Sequence, residues 1–196
     1  MGIAENTIKK KNNKIKKANI TVESFKDFGV RYINITIDQM IEPQMRPRVG
    51  GFKNIYDPLQ TYKKYLRKKV EEELIKKNIK IEIDEDKYIE SNIILKCEPP
   101  KTFSKRKKFD SIRNKYKFNK KPDIDNCVKT IYDSFEGIFF FNDSQIIKEI
   151  LEKQYSTKEE TIIEFRIYDQ YESKGRLSKE DLDNMKPIYK EYLEKE

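Results

Sequence analysis

Apolar and polar positions alternate along RYINITI, where Ile33, Ile35 and Ile37 are separated by Asn34 and Thr36, the two-residue period of a half-buried strand. SNIILKCE reads as a second strand, ending at Pro99 and Pro100, and TIIEFRIYD as a third through Ile163, Phe165 and Ile167. Elsewhere the period lengthens. Leu59, Tyr62, Leu66, Val70 and Leu74 recur at three- and four-residue steps, which predicts a helix opened by Asp57 as N-cap with Pro58 in its first turn. A further helix fits from about Asp125, with Val128, Ile131, Tyr132 and Phe135 on one face and Gly137 as its terminator. SQIIKEILEKQY satisfies both periods: its β-branched residues allow a strand, but Ile146, Ile147, Ile150 and Leu151 fall at helical intervals, and spacing alone favours helix slightly. EPQMRPRVGGFKNIYDP, with its prolines, glycines, Arg46 and Arg48, reads as an ordered loop, and SKEDLDNMKPIYKEYLEKE as a capped, acidic, partly helical appendage. Interleaved strands and helices predict an α/β or α+β domain, a small sheet with helices packed on it. The pattern leaves strand order open.

Length adds that 196 residues suffice for one domain with a real core. The expected organisation is a basic N-terminal extension over 1–28, a folded domain over 29–170 and a C-terminal helical appendage over 171–196. Charge changes the picture more. The chain carries +8 overall, yet residues 101–121 hold ten Lys or Arg against Asp110 alone, and residues 1–22 hold six Lys against Glu5. The remaining 153 residues sum to −6. A mildly acidic body with two basic arms attracts polyanions through counterion release, although a charge run is also what a solvated segment without a partner looks like. No apolar run nears the roughly 20 residues of a membrane span and no hydrophobic leader opens the chain, so the expectation is a cytoplasmic protein with no membrane partner.

Histidine is absent, which excludes Ser-His and Cys-His nucleophilic mechanisms and His-ligated zinc. Cys97 and Cys127 sit among apolar neighbours without metal-ligand spacing and read as buried free thiols. Carboxylates remain. In KKPDIDNCVKTIYDSFEGIFFFNDSQ, Asp123 and Asp125 follow a lysine run and Asp143 closes an aromatic turn. In an extended segment residues two apart point the same way, so the pair could present oxygens to one hard cation such as Mg²⁺, with Asp143 as a third ligand. Lys129, one helical turn past Asp125, would balance that cluster or charge developing on a phosphoryl group. Each residue also has a plainer reading: Asp125 or Asn126 as an N-cap, Asp143 as another, Lys129 and Asp133 as a surface ion pair.

The same residues resemble the signature of the RusA family of Holliday junction resolvases: K-P-D-x-D-N, a Lys four residues past the second Asp, a D-x-x-x-G stretch, and a D-D or N-D before Gln and a hydrophobic residue. They are matched here by Asp123, Asp125, Asn126, Lys129, Asp133, Gly137, Asn142 and Asp143. RPR at 46–48, YDPLQTYKKYLRK, CEPPKTFSKRKK and Lys153 agree with other family segments, and the resemblance runs from about Arg31 to Asp169. It implies a dimeric α/β nuclease fold, in which SQIIKEILEKQY is a strand. It also implies Mg²⁺, for which Mn²⁺ can substitute, held by Asp123, Asp125 and Asp143, with Lys129 a catalytic lysine and Asn126, Asp133 and Asn142 in support. Asn142 stands where some members have Asp, and is expected outside the metal's own ligands. Phosphates would be held by Arg46, Arg48, Lys105, Arg106, Lys107, Lys108, Lys120, Lys121 and Lys153. The expected activity is paired, symmetric nicking of four-way DNA junctions by a homodimer in recombination or repair, in a phage or prophage setting, with no small-molecule cofactor. Two rivals stand beside it: a branched-DNA-binding protein that does not cut, and a metal-dependent nucleotide phosphohydrolase, for which a large basic arm has no use.

Overall fold

A computed structural model of the chain describes residues 18–50 and 55–168. The expected C-terminal appendage and the first 17 residues of the N-terminal arm lie outside them. Five strands form one sheet: β1 (Ile20–Asp27), β2 (Val30–Ile37), β5 (Tyr88–Cys97), β6 (Ile146–Tyr155) and β7 (Glu160–Tyr168), in the order β1-β2-β7-β5-β6. β3 (Arg48–Val49) and β4 (Ile55–Tyr56) make a separate two-stranded ribbon. All pairings in the large sheet are antiparallel except β5 with β6. The sheet is therefore mixed and the fold α+β.

That single parallel pairing shapes the molecule. Parallel neighbours require a long crossover, and the one from β5 to β6 carries α2 (Lys105–Ile112), α3 (Ile124–Phe135) and a 3-10 turn at Asp143–Gln145. All the carboxylates singled out by sequence lie in this crossover.

One face of the sheet supplies the core. Ile33, Ile35, Ile37, Ile89, Ile93, Leu95, Ile163 and Phe165 are fully buried, under Tyr62, Leu66 and Val70 of α1 (Gln60–Lys76) and Cys127, Ile131 and Phe135 of α3. Phe139 and Phe140 of the aromatic turn close on Phe165, with ring centroids at 5.6 and 5.7 Å. Gly137 ends α3 with φ +75°, where a side chain would be strained, and its N–H donates to the Phe140 carbonyl at 2.7 Å.

Three local expectations change. Residues 146–155 form a strand, not the helix that spacing favours. Leu151 pairs with Ile93, whereas Ile147, at a register shift beside β5, and Ile150 are about half exposed, so the helical spacing of these isoleucines belongs to a sheet edge. Ile20–Asp27, inside the stretch read as a basic extension, is an edge strand whose buried apolar anchors are Ile20 and Val22. Asp57 is not the N-cap of α1. Leu59 occupies that position without a side-chain cap, while Asp57 closes the preceding turn, its Oδ1 accepting from the Leu59 N–H at 2.8 Å.

Asp57 also ties α1 to α3. Lys63, on α1, donates to Asp57 at 2.7 Å and to Asp133 of α3 at 2.6 Å, with only 12% of its side chain exposed. Burial alone would raise the Asp57 carboxyl, but the bonds from Lys63 and the Leu59 amide outweigh it and hold the group below its ordinary 3.8. Lys63→Met removes two charge-assisted hydrogen bonds and is expected to cost about 2–4 kcal/mol in urea unfolding at neutral pH. A carboxyl lowered in the fold contributes stability that is full above its unfolded value and fades as pH falls through the folded one. The gap between native and variant should therefore narrow only below about pH 4.

Candidate active site

The first turn of α3 fixes two of the three aspartates. Asp123 is the N-cap residue, in extended backbone, yet its side chain makes no capping hydrogen bond. Asp125 lies one residue inside the helix and is exposed. The capping interpretation of Asp125 and Asn126 therefore fails, and so does the expectation that both aspartates share one extended segment, because the helix begins at Ile124, between them. A negative side chain in the first turn is favoured by the helix dipole, which lets two unneutralised carboxylates stand side by side at modest cost.

This turn is pinned from two directions. Lys153 on β6 donates to the carbonyls of Lys120 and Pro122 at 2.9 and 2.8 Å, and its ammonium lies 5.0 Å from the Phe118 ring, which stacks on Tyr155. Expected among the phosphate-holding residues, Lys153 is instead engaged in fixing the backbone just before Asp123. From the opposite side, the Gln44 N–H donates to the Asn126 carbonyl at 2.8 Å, which brings the loop of Arg46 and Arg48 onto the helix start. Cys127, buried beneath, gathers the fields of this group: burial pushes its thiol up to about 11, Lys153 opposes that rise, and Asp125 and Asp123 add to it. Lys153→Ala is expected to leave two carbonyls without their charged donor and lower stability by about 2 kcal/mol, with increased proteolysis at residues 119–123 as the local readout.

Asp143 is mounted separately. Asn142 caps the 3-10 turn, its side chain accepting from the Ser144 N–H at 2.9 Å in a capping box with Gln145. Gln145 is buried and accepts from the N–H groups of Phe141 and Asn142, while its amide donates to the carbonyls of Asp84, Glu85 and Lys87. The turn that carries Asp143 is thus bolted to the loop before β5. An Asn serves that cap as well as an Asp would, which accounts for residue 142 without any contact to a cation.

Between the two mounts lies a group that the sequence reading passed over. Tyr132 of α3 donates to Glu149 of β6 and accepts from Ser91 of β5 at 2.6 Å. Burial, then the bond to Glu149, raises the Tyr132 pKa far above its ordinary value, and the charge of Asp143 contributes in the same direction. Glu149 is a carboxylate on the same strand face as Lys153, a relation visible in sequence only once residues 146–155 are known to be a strand.

Among the described residues no side-chain hydrogen bond or ion pair holds Asp123, Asp125, Asp143 or Lys129, and all four are exposed. The proposed Lys129–Asp133 pair does not form, because Asp133 binds Lys63. Among the described residues no three Asp, Glu, His or Cys side chains are grouped closely enough to surround one metal ion. The structure thus seats Asp123 and Asp125 at the start of α3 and Asp143 on the 3-10 turn, where its charge acts on Tyr132, without closing them into a single ligand set. In kind, the donors are hard carboxylate oxygens without a side-chain partner among the described residues, which suits Mg²⁺ or Mn²⁺. Lys120 and Lys121 stand exposed before Asp123, and Lys105, Arg106, Lys107 and Lys108 lie on α2, where Arg106 pairs with Asp110.

A family model described as endodeoxyribonuclease RusA matches residues 40–168, the span that contains every element just described except β1 and β2. No curated protein matches the chain. No helix among the described residues is long and apolar enough to cross a membrane.

Proposed function

Because the chain belongs to the RusA endodeoxyribonuclease family, we propose that it is a Holliday junction resolvase, a Mg²⁺-dependent homodimer that nicks two opposed strands of a four-way DNA junction in recombination or repair. One observation carries the reading: three exposed aspartates in the crossover have no side-chain partner among the described residues, in a fold that pairs other acids, Asp57 and Asp133, with a buried lysine. A two-fold dimer suits a junction with two-fold symmetry, one site per scissile phosphate.

Asp123, Asp125 and Asp143 would hold the divalent ion. When bound, such an ion lowers the pKa of a water and offsets charge on the phosphoryl oxygens. The rest falls to the chain itself. Lys129, one turn beyond Asp125 and without an ion pair among the described residues, would present an ammonium to the oxygens on which negative charge builds. Arg46, Arg48, Lys120 and Lys121 flank the helix start and hold phosphates on either side, while the α2 lysines extend that track. Lys153 and Gln145 keep the two aspartate mounts in place.

A synthetic four-way junction with Mg²⁺ decides the matter. Paired, symmetric nicks that vanish in EDTA support the reading, and an uncut junction overturns it. The rival of a branched-DNA-binding protein without nuclease activity draws on the open spacing of the carboxylates. It requires salt-sensitive junction binding indifferent both to Mg²⁺ and to loss of Asp143.

A further inference from the structure

The crossover displays aromatic rings that the core does not use. Phe109 in the middle of α2 and Tyr116, four residues past its end, are 52% and 48% exposed. Each has a cation against it: the Arg113 guanidinium is 5.5 Å from the Phe109 ring centre, and the Lys107 ammonium is 5.5 Å from Tyr116. Large exposed rings mark a contact surface, and the charge around them states the sign of the partner, since residues 101–121 hold ten Lys or Arg against one Asp. A ligand that is at once anionic and rich in flat, apolar faces is a nucleic acid strand with unstacked bases.

The surface is tied to the aspartates by a continuous set of contacts. Lys107 also lies 4.1 Å above Phe103, Phe103 packs edge-on against Tyr155 at 6.1 Å, and Tyr155 stacks on Phe118 beneath Lys153. Lys153 in turn holds the backbone that leads into Asp123. Tyr116, the ring on this mount, is thereby positioned relative to Asp123.

We infer that Phe109 and Tyr116 form a stacking platform for unpaired bases, which would favour single-stranded or branched DNA over duplex. A duplex keeps its base faces inside its own stack and offers the rings nothing, whereas a branch point or single strand offers a free face. The inference rests on DNA as the ligand, as argued above, and is tested without cutting.

Binding of the full-length protein in EDTA is followed by fluorescence anisotropy on an oligothymidylate, a four-way junction and a plain duplex. The double variant Phe109→Ala/Tyr116→Ala should lose about tenfold or more in affinity for the oligothymidylate and the junction, and less than about twofold for the duplex. Its slope of log affinity against log salt should match the native slope, because no charge is removed, whereas Lys107→Ala should flatten it. Phe109→Trp, which preserves a stacking face, should retain native affinity, and 2-aminopurine at the branch should be quenched by the native protein and not by the double variant. Equal losses on all three DNAs, an unchanged oligothymidylate affinity, or a flattened salt slope in the double variant would each overturn the platform. Nicking is read separately: an uncut junction in Mg²⁺ rejects the resolvase, and unselective binding in EDTA rejects the platform.

Discussion

Asp125→Asn should abolish paired nicking of a four-way junction, by roughly a thousandfold or more, while junction binding in EDTA stays within a few-fold of native. The size follows from chemistry: a ligand that contributes several kcal/mol of charge stabilisation in the transition state corresponds to about three decades of rate. The cleanness of the test follows from the structure. Asp125 is exposed in the first turn of α3 and accepts no hydrogen bond among the described residues, so an isosteric amide disturbs no partner. The only structural loss is the favourable charge at the helix start, about 0.3–1 kcal/mol, small enough for the thermal transition to remain close to native. Asp143→Asn should behave alike despite its separate mount. Asp133→Asn makes the control of opposite kind: it breaks the tie to Lys63, so stability should fall while nicking per folded molecule persists. Full nicking by Asp125→Asn would remove that carboxylate from the catalytic site, and loss of nicking together with folding would show a structural residue instead.

That contrast between Asp125 and Asp133 could not be read from sequence, where both are acids in one helix with a lysine nearby. Their division depends on Lys63, 70 positions from Asp133. The local signals were legible: the alternation of β2, β5 and β7, the apolar faces of α1 and α3, and the positive φ required at Gly137. The misread element was β6, because an edge strand buries only part of one face and its isoleucines obey no two-residue period. β1 escaped because two buried residues inside a lysine-rich stretch give too short a pattern. At the site, the motif located the aspartates, but the roles of Lys153, Tyr132, Glu149 and Gln145 are set by residues far along the chain, which only the crossover between β5 and β6 brings near.

Gln145 carries the largest stability effect expected of any single polar side chain here. Its Oε1 accepts from Phe141 N–H at 2.7 Å and Asn142 N–H at 3.2 Å, and its Nε2 donates to the carbonyls of Asp84 at 2.7 Å, Lys87 at 2.9 Å and Glu85 at 3.2 Å. With 9% of its surface exposed, truncation leaves several backbone groups unpaired where water reaches them poorly. Each such group costs about 1–3 kcal/mol, so Gln145→Ala should lose roughly 3–5 kcal/mol, a large share of the 5–15 kcal/mol that holds a domain together. Gln145→Glu separates the clamp from simple packing. The carboxylate keeps the shape and still accepts from the two N–H groups, but it sets an oxygen against three carbonyl oxygens, so at neutral pH it should be worse than Ala. Protonation restores a donor. A carboxyl surrounded by carbonyls has a raised pKa in the fold, so the variant's stability is present at low pH and is lost as pH rises through that value. Urea midpoints at neutral and mildly acidic pH should therefore move upward on acidification for Gln145→Glu and not for Gln145→Ala. In both variants the turn that carries Asp143 is released, and nicking should fall further than the folded fraction does. A native-like midpoint in Gln145→Ala, or a Gln145→Glu that weakens on acidification, would show that the clamp bears no weight.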